Sequence, residues 1–197
     1  MKMSKFEKRI VNQKKNADRN IKKLEECLEV LKKRNIRNTL EIGGGFGLVA
    51  THLVNKYNWK VIGTDIDPEQ VELAKQTNPV KDNLSYQVAD ATNLIFEDKS
   101  FDLIFSQMVF HHIKEWERAV FEVFRVLKPG GHFIWYDVAL PAWIRYLFAS
   151  LLKNHGLYSY DEISTCFDKA GFEQIWLRKE FFGPFRVQHR LMQKPIS

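Results

Sequence analysis

The stretch Leu40-Glu41-Ile42-Gly43-Gly44-Gly45-Phe46-Gly47 constrains this chain more than any other. A short apolar run meets glycines at 43, 45 and 47, and apolar residues at helical spacing follow at once. Glycine lets the backbone turn sharply and lets a ligand reach main-chain N–H groups with no Cβ in the way. A strand, a bare turn and a helix N-terminus in succession predict a site for a nucleoside-type ligand that carries an anion.

The same alternation continues along the chain. Residues 39–42, 60–65, 84–88, 101–106 and 132–137 read as short buried strands. Between them lie helical patterns: Leu48, Val49, Leu53 and Val54; then Val71, Leu73 and Ala74, with Pro68 in the first turn and Asp67 as N-cap. Residues 116–127 form a further helix, stopped by Lys128-Pro129-Gly130-Gly131, and 161–170 another, ended by Gly171. Strands at 172–180 and 185–192 flank a Gly183-Pro184 turn. Parallel neighbours need a crossover of about a dozen residues, so this last pair must be an antiparallel hairpin. The predicted fold is α/β: a doubly wound, mostly parallel seven-stranded sheet with helices on both faces and a C-terminal hairpin.

Charge divides the chain in two. The total is +6, but residues 1–37 hold thirteen Lys and Arg against five Asp and Glu, a net of +8, and leave the remainder at −2. We therefore separate a basic N-terminal arm with an amphipathic helix (1–37) from a single domain (38–197). Residues 1–16 are polar and Lys-rich, a composition that favours little order. From 18 to 34, Ile21, Leu24, Leu28 and Leu31 repeat at helical spacing. The arm suits an acidic partner, RNA or an anionic membrane surface, or is a solvated helix face. No apolar run reaches the ~20 residues of a membrane span, and no apolar segment of a secretory signal follows the charged start. Cys27 and Cys166 lack metal-ligand spacing and sit on apolar helical faces, so they read as buried thiols in a cytoplasmic protein, with no metal site.

In an open parallel sheet, ligands bind beyond the carboxyl ends of the strands where strand order reverses. The first strand presents Glu41 and the turn of Gly43, Gly44, Gly45, Phe46 and Gly47. The second ends in Asp65, a carboxylate suited to a ribose diol; the third is followed by Asp90-Ala91, suited to the amine edge of a base; the fourth ends at Ser106-Gln107. A dinucleotide site would need its third glycine at position 48, which is Leu48.

These residues resemble the class I S-adenosyl-L-methionine-dependent methyltransferases, within them the small single-domain enzymes, over about residues 39–136. The resemblance implies that residues 41–47 hold the methionine part of the cofactor, with Glu41 close to it. It also implies that Asp65 binds the ribose hydroxyls, that Ile66 packs on adenine and that Asp90-Ala91 lies at the adenine edge. Phe101-Asp102-Leu103-Ile104 and Leu127-Lys128-Pro129-Gly130-Gly131 are similar to later family motifs. A sulfonium is a cation that favours aromatic faces or carboxylates, and Phe46 and Phe110 are the aromatic candidates. The implied reaction is methyl transfer to a small-molecule acceptor; an RNA methyltransferase or a nucleic-acid-binding protein using the basic arm is the alternative. His111 and His112 follow the fourth strand and offer a base, or else shape the pocket. Residues 141–152 are rich in large apolar side chains and read as a buried segment, an apolar substrate wall or a membrane contact.

Overall fold

Short runs dense in β-branched and large apolar residues form the strands, and the segments between them carry the helices that cover both faces. The computed structural model describes residues 13–31, 35–78, 81–147, 156–182 and 185–196. In chain order these comprise α1 (Lys14–Leu31), β1 (Asn38–Ile42), α2 (Leu48–Tyr57), β2 (Lys60–Asp65), α3 (Pro68–Thr77), β3 (Leu84–Val88) and β4 (Phe101–Gln107). A 3-10 turn (Phe110–His112), α4 (Trp116–Val126), β5 (Leu127–Ala139), α5 (Ala142–Leu147), α6 (Tyr160–Ala170), β6 (Glu173–Phe182) and β7 (Phe185–Gln193) follow.

The strands form one sheet in the order β3-β2-β1-β4-β5-β7-β6. β1 to β5 run parallel, while β7 lies antiparallel to both β5 and β6. The chain winds outward from β1 to β3 and then returns to pair β4 with β1, so order reverses between these two strands. The predicted doubly wound sheet and hairpin are what the chain forms. On one face Phe133, Trp135, Val120, Val123 and Phe167 build a core under α4 and α6. On the other, Leu24, Cys27 and Leu31 of α1 join Ala50, Leu53, Phe105, Ile134 and Leu191. Each such side chain removed from water contributes roughly 1.5–3 kcal/mol.

Several expectations need correction. The Lys128-Pro129-Gly130-Gly131 segment does not separate α4 from a later strand, because β5 already begins at Leu127. Gly130 takes φ 76°, and the pairing with β4 shifts register between Phe101 and Leu103, so the glycines make a bulge inside the strand. Leu73 is 38% exposed; α3 buries Gln70, Val71 and Ala74 instead. Asp67 caps α3 as expected, its Oδ1 accepting the Glu69 N–H at 3.0 Å. In residues 141–152 the described part is not buried: Trp143, Tyr146 and Leu147 are all exposed on α5, and 148–152 lie outside the described residues. Residues 1–12 and 32–34 of the arm also lie outside them. Both cysteines are buried free thiols. No helix among the described residues is long and apolar enough to cross a membrane.

Candidate active site

β1 delivers the chain into a turn that only glycine makes without strain. Gly43, Gly45 and Gly47 have φ of 72°, 53° and 81°, in the left-handed region. A Cβ on Gly43 would stand 2.3 Å from Val109 Cγ2, and one on Gly47 would stand 2.5 Å from the Tyr86 ring. The turn is held from below. Gly44 donates its N–H to the Thr64 carbonyl at 2.8 Å, Asn78 Nδ2 donates to the Phe46 carbonyl at 2.8 Å, and the Tyr86 hydroxyl donates to the Gly47 carbonyl at 2.9 Å. The Thr51 hydroxyl lies 2.8 Å from Asn78 Oδ1 and 3.0 Å from the Tyr86 hydroxyl. Gly47 is the N-cap of α2 and supplies no side-chain cap, so the positive end of that helix is left open to an anion.

Two carboxylates border the turn. Asp65, at the tip of β2, accepts the Gly45 N–H on Oδ2 at 3.1 Å and the Asp67 N–H on Oδ1 at 3.0 Å. Burial raises its pKa, while these amides act in the opposite direction. Glu41 is only 4% exposed and lies beneath Gly44, where a Cβ would meet its Oε2 at 2.8 Å. That Oε2 has no hydrogen-bond partner. Burial pushes the Glu41 carboxyl up to about 8, against the Ala50 amide and with help from the Asp65 charge. Ile66 is 50% exposed beside Asp65, and Val88, paired with Asp65 across β2 and β3, is similarly open. Asp90 folds back on its own turn: its Oδ1 accepts both the N–H and the hydroxyl of Thr92 at 2.8 Å. Ala91 is buried beside it.

On the far side of the reversal point, β4 ends in Ser106 and Gln107. Ser106 Oγ is buried without a hydrogen-bond partner. Gln107 Nε2 donates to the Asn20 carbonyl of α1 at 2.8 Å. Met108 then adopts φ 60° while donating its N–H to the Tyr136 carbonyl at 2.7 Å. A non-glycine residue in this region stores strain of order 1–3 kcal/mol, a recurrent feature of functional sites. Phe110 offers no face to a ligand: it is fully buried and packs 5.8 Å from the Phe133 ring. Phe46 is half-buried on the turn itself.

The two histidines have different surroundings. His111 Nδ1 lies 2.5 Å from Asp137 Oδ1 near the end of β5. The His112 ring lies 3.9 Å from that of His111. Asp137 also accepts the N–H groups of Val109 (3.1 Å), His111 (3.3 Å) and Val138 (2.7 Å). Burial works against a charged His111, but the Asp137 charge and hydrogen bond prevail and raise its pKa. Sequence reasoning missed Asp137, although a signal existed: it ends a predicted strand beside the reversal point, as Asp65 does on the other side. Asn78, Tyr86 and Thr51 carried no such signal, because only the fold brings them under the turn.

α1 closes the side of the crevice. Glu25 anchors it to α2 through His52 Nε2 (2.7 Å), Lys56 Nζ (2.7 Å) and the Tyr57 hydroxyl (2.5 Å). Lys23 pairs with Glu180, and Glu26 with Arg178 at 3.0 Å, tying the helix to β6. A cavity of about 910 Å³ opens at the opposite end of the sheet, lined by Arg37, Trp59, Lys60 and Asn83, far from the turn and the carboxylates.

Residues 40–135 match the methyltransferase domain family. Norajmaline N-methyltransferase of Rauvolfia serpentina is 31% identical over 98 residues, 48% of this chain and 34% of that protein. The chloroplastic tocopherol O-methyltransferase of Arabidopsis thaliana is 32% identical over 104 residues, 51% of this chain and 30% of that protein. The matched stretch thus spans about a third of each of these curated relatives. The Haemonchus contortus phosphoethanolamine N-methyltransferase 2, solved with phosphomonomethylethanolamine and S-adenosylhomocysteine, superposes with a TM-score of 0.74 at 18% identity, covering 88% of this chain and 53% of that one. The glycine turn and the carboxylate at the tip of the neighbouring strand both lie within this matched stretch: residues 40–135 form a methyltransferase domain.

Proposed function

We propose that the chain transfers the methyl group of S-adenosyl-L-methionine to a small-molecule acceptor. The observation that carries this reading is the pairing of the left-handed glycine turn with Asp65, which shares its carboxylate with the turn's own Gly45 amide. The residues fit the cofactor on physical grounds. Gly43 and Gly47 pack so closely on Val109 and Tyr86 that neither has room for a Cβ, which fixes the turn in its left-handed shape. The open N-terminus of α2 suits the methionine carboxylate. Glu41 Oε2, buried and unpartnered, suits the cationic groups of the methionine end. Asp65 takes the ribose hydroxyls with its remaining lone pairs, and Ile66 gives adenine an apolar face, with Asp90 and Ala91 at its edge. Ser106 and Gln107 end β4 beside the reversal point.

When bound, the cofactor supplies a methyl group already activated by a positive sulfur. The chain's own work is to align the acceptor, hold water out and receive a proton where one must leave. Within α1, Lys23 pairs with Glu26 and Glu180 and is engaged within the fold. Two buried free thiols accord with a reducing, cytoplasmic setting.

Calorimetric titration with S-adenosyl-L-methionine tests the reading. The wild type binds, and Asp65→Ala loses 30-fold or more in affinity while keeping a cooperative melt. Equal affinity in the two proteins, or a preference for NADH, overturns it.

A further inference from the structure

Building on that reading of the site, we propose that His111 is the catalytic base, that Asp137 is its positioning residue, and that the methyl acceptor is a hydroxyl of phenolic or enolic type. Asp137 is 1% exposed, yet its carboxylate takes three backbone N–H groups as well as the His111 ring. Those amides come from two neighbouring strand ends, Val109 and His111 after β4 and Val138 within β5, so the carboxylate cannot swing away. In a neutral imidazole, one nitrogen carries the proton and the other the lone pair. Asp137 is an acceptor, so Nδ1 carries the proton and Nε2 is left as the proton acceptor. The His111 side chain is 16% exposed, against 1% for Asp137, so the imidazole and not the carboxylate is the member of the pair open to its surroundings.

This arrangement suits an acceptor that must give up a proton as it attacks. A neutral amine attacks with a lone pair it already has and sheds its proton afterwards. A hydroxyl is a poor nucleophile until something takes its proton. A phenol, with a pKa of about 10, lies within reach of an imidazole; a simple alcohol does not. As the acceptor oxygen bonds to the methyl carbon, its proton passes to His111 Nε2. The electron pair of the broken carbon–sulfur bond remains on sulfur, and the imidazolium rests against Asp137 until it releases the proton to solvent. The titratable groups beside the pair are His112 on the same turn, Tyr136 on β5 and Tyr158 ahead of α6, with Arg190 on β7 acting on Tyr158.

Two measurements test this. The first uses the wild type alone, with nitrogen-15-labelled histidine. NMR should find the His111 Nε2 unprotonated at pH 8, with a midpoint above the ordinary histidine value that drops in Asp137→Asn. An Nε2-protonated tautomer at pH 8 overturns the proposal whatever the substrate. The second incubates the protein, carbon-14-methyl S-adenosyl-L-methionine and a metabolite extract, then cleaves the products with hydriodic acid. Label should leave as methyl iodide under ether-cleaving conditions. His111→Gln should lower transfer at least 100-fold with cofactor affinity held within about threefold, and the wild-type rate should climb with pH and level off above the His111 midpoint. Label in N-methyl products, or full activity in His111→Gln, overturns the proposal and leaves the cofactor reading intact. Failure of the wild type to bind the cofactor would instead remove that reading.

Discussion

The two halves of the crevice are built by different means. On the side of β1, β2 and β3, backbone geometry makes the site: three glycines in the left-handed region, a helix N-terminus without a side-chain cap, and Asp65 held by two amides. On the side of β4, β5 and β7, side chains make it: His111 held by Asp137, Gln107 held by α1, and the strained Met108 between them. A backbone cradle recognises features shared by every molecule of one cofactor. A side-chain wall can change with each acceptor.

The largest test of this contrast is on the backbone side. Gly43→Ala forces a Cβ to within 2.3 Å of Val109 Cγ2 and puts a side chain at φ 72°. The left-handed position alone costs roughly 1–2 kcal/mol. We expect cofactor affinity to fall 100-fold or more and the melting temperature to drop by several degrees, read by calorimetry and circular dichroism. An unaffected affinity would mean that the turn's conformation is not what holds the cofactor.

A second test uses the buried carboxyl of Glu41. Its folded pKa of about 8 lies above its unfolded value of 4.5. Between these values the folded state holds a proton that the unfolded state has released, so stability falls as pH rises through that window and flattens above it. Glu41→Gln should abolish this slope, on the order of a few kcal/mol across the window, as measured by urea melts at pH 5, 7 and 9. The same slope in wild type and variant would show that Glu41 does not stay protonated. The smallest effect is expected at α1, which touches both halves. Glu25→Ala removes the anchor of α1 on His52, Lys56 and Tyr57. These contacts are partly solvated and together contribute about 1 kcal/mol, a shift of roughly 2–4 °C for a chain of this size. A larger loss, accompanied by weaker acceptor turnover, would make α1 part of the acceptor wall.

Much of this architecture is legible along the chain. The alternation of buried runs and helical spacings dictates a parallel α/β sheet, because each element must bury one face against the other kind. The hairpin follows from the lack of room between the last two strands. Where the reading failed, tertiary packing outweighed a local signal. The Pro129-Gly130-Gly131 segment reads as the turn before the fifth strand; α4 does end at Val126, but β5 begins at Leu127 and carries the glycines along as a bulge. Phe110 reads as a ligand face because it follows the fourth strand, but the core under α4 takes it.

What the amino-acid order determined by itself was the cradle: glycines permit positive φ through their own chemistry, and a carboxylate ending the next strand needs no distant partner to be recognised. What the tertiary structure alone decided was the convergence of residues far apart in the chain. It set Asp137 against His111, Asn78 and Tyr86 under the turn, and α1 against Gln107. Such contacts arise from the winding of the strands about the reversal point, and a linear order of residues carries no record of which side chains the winding will bring within hydrogen-bonding distance.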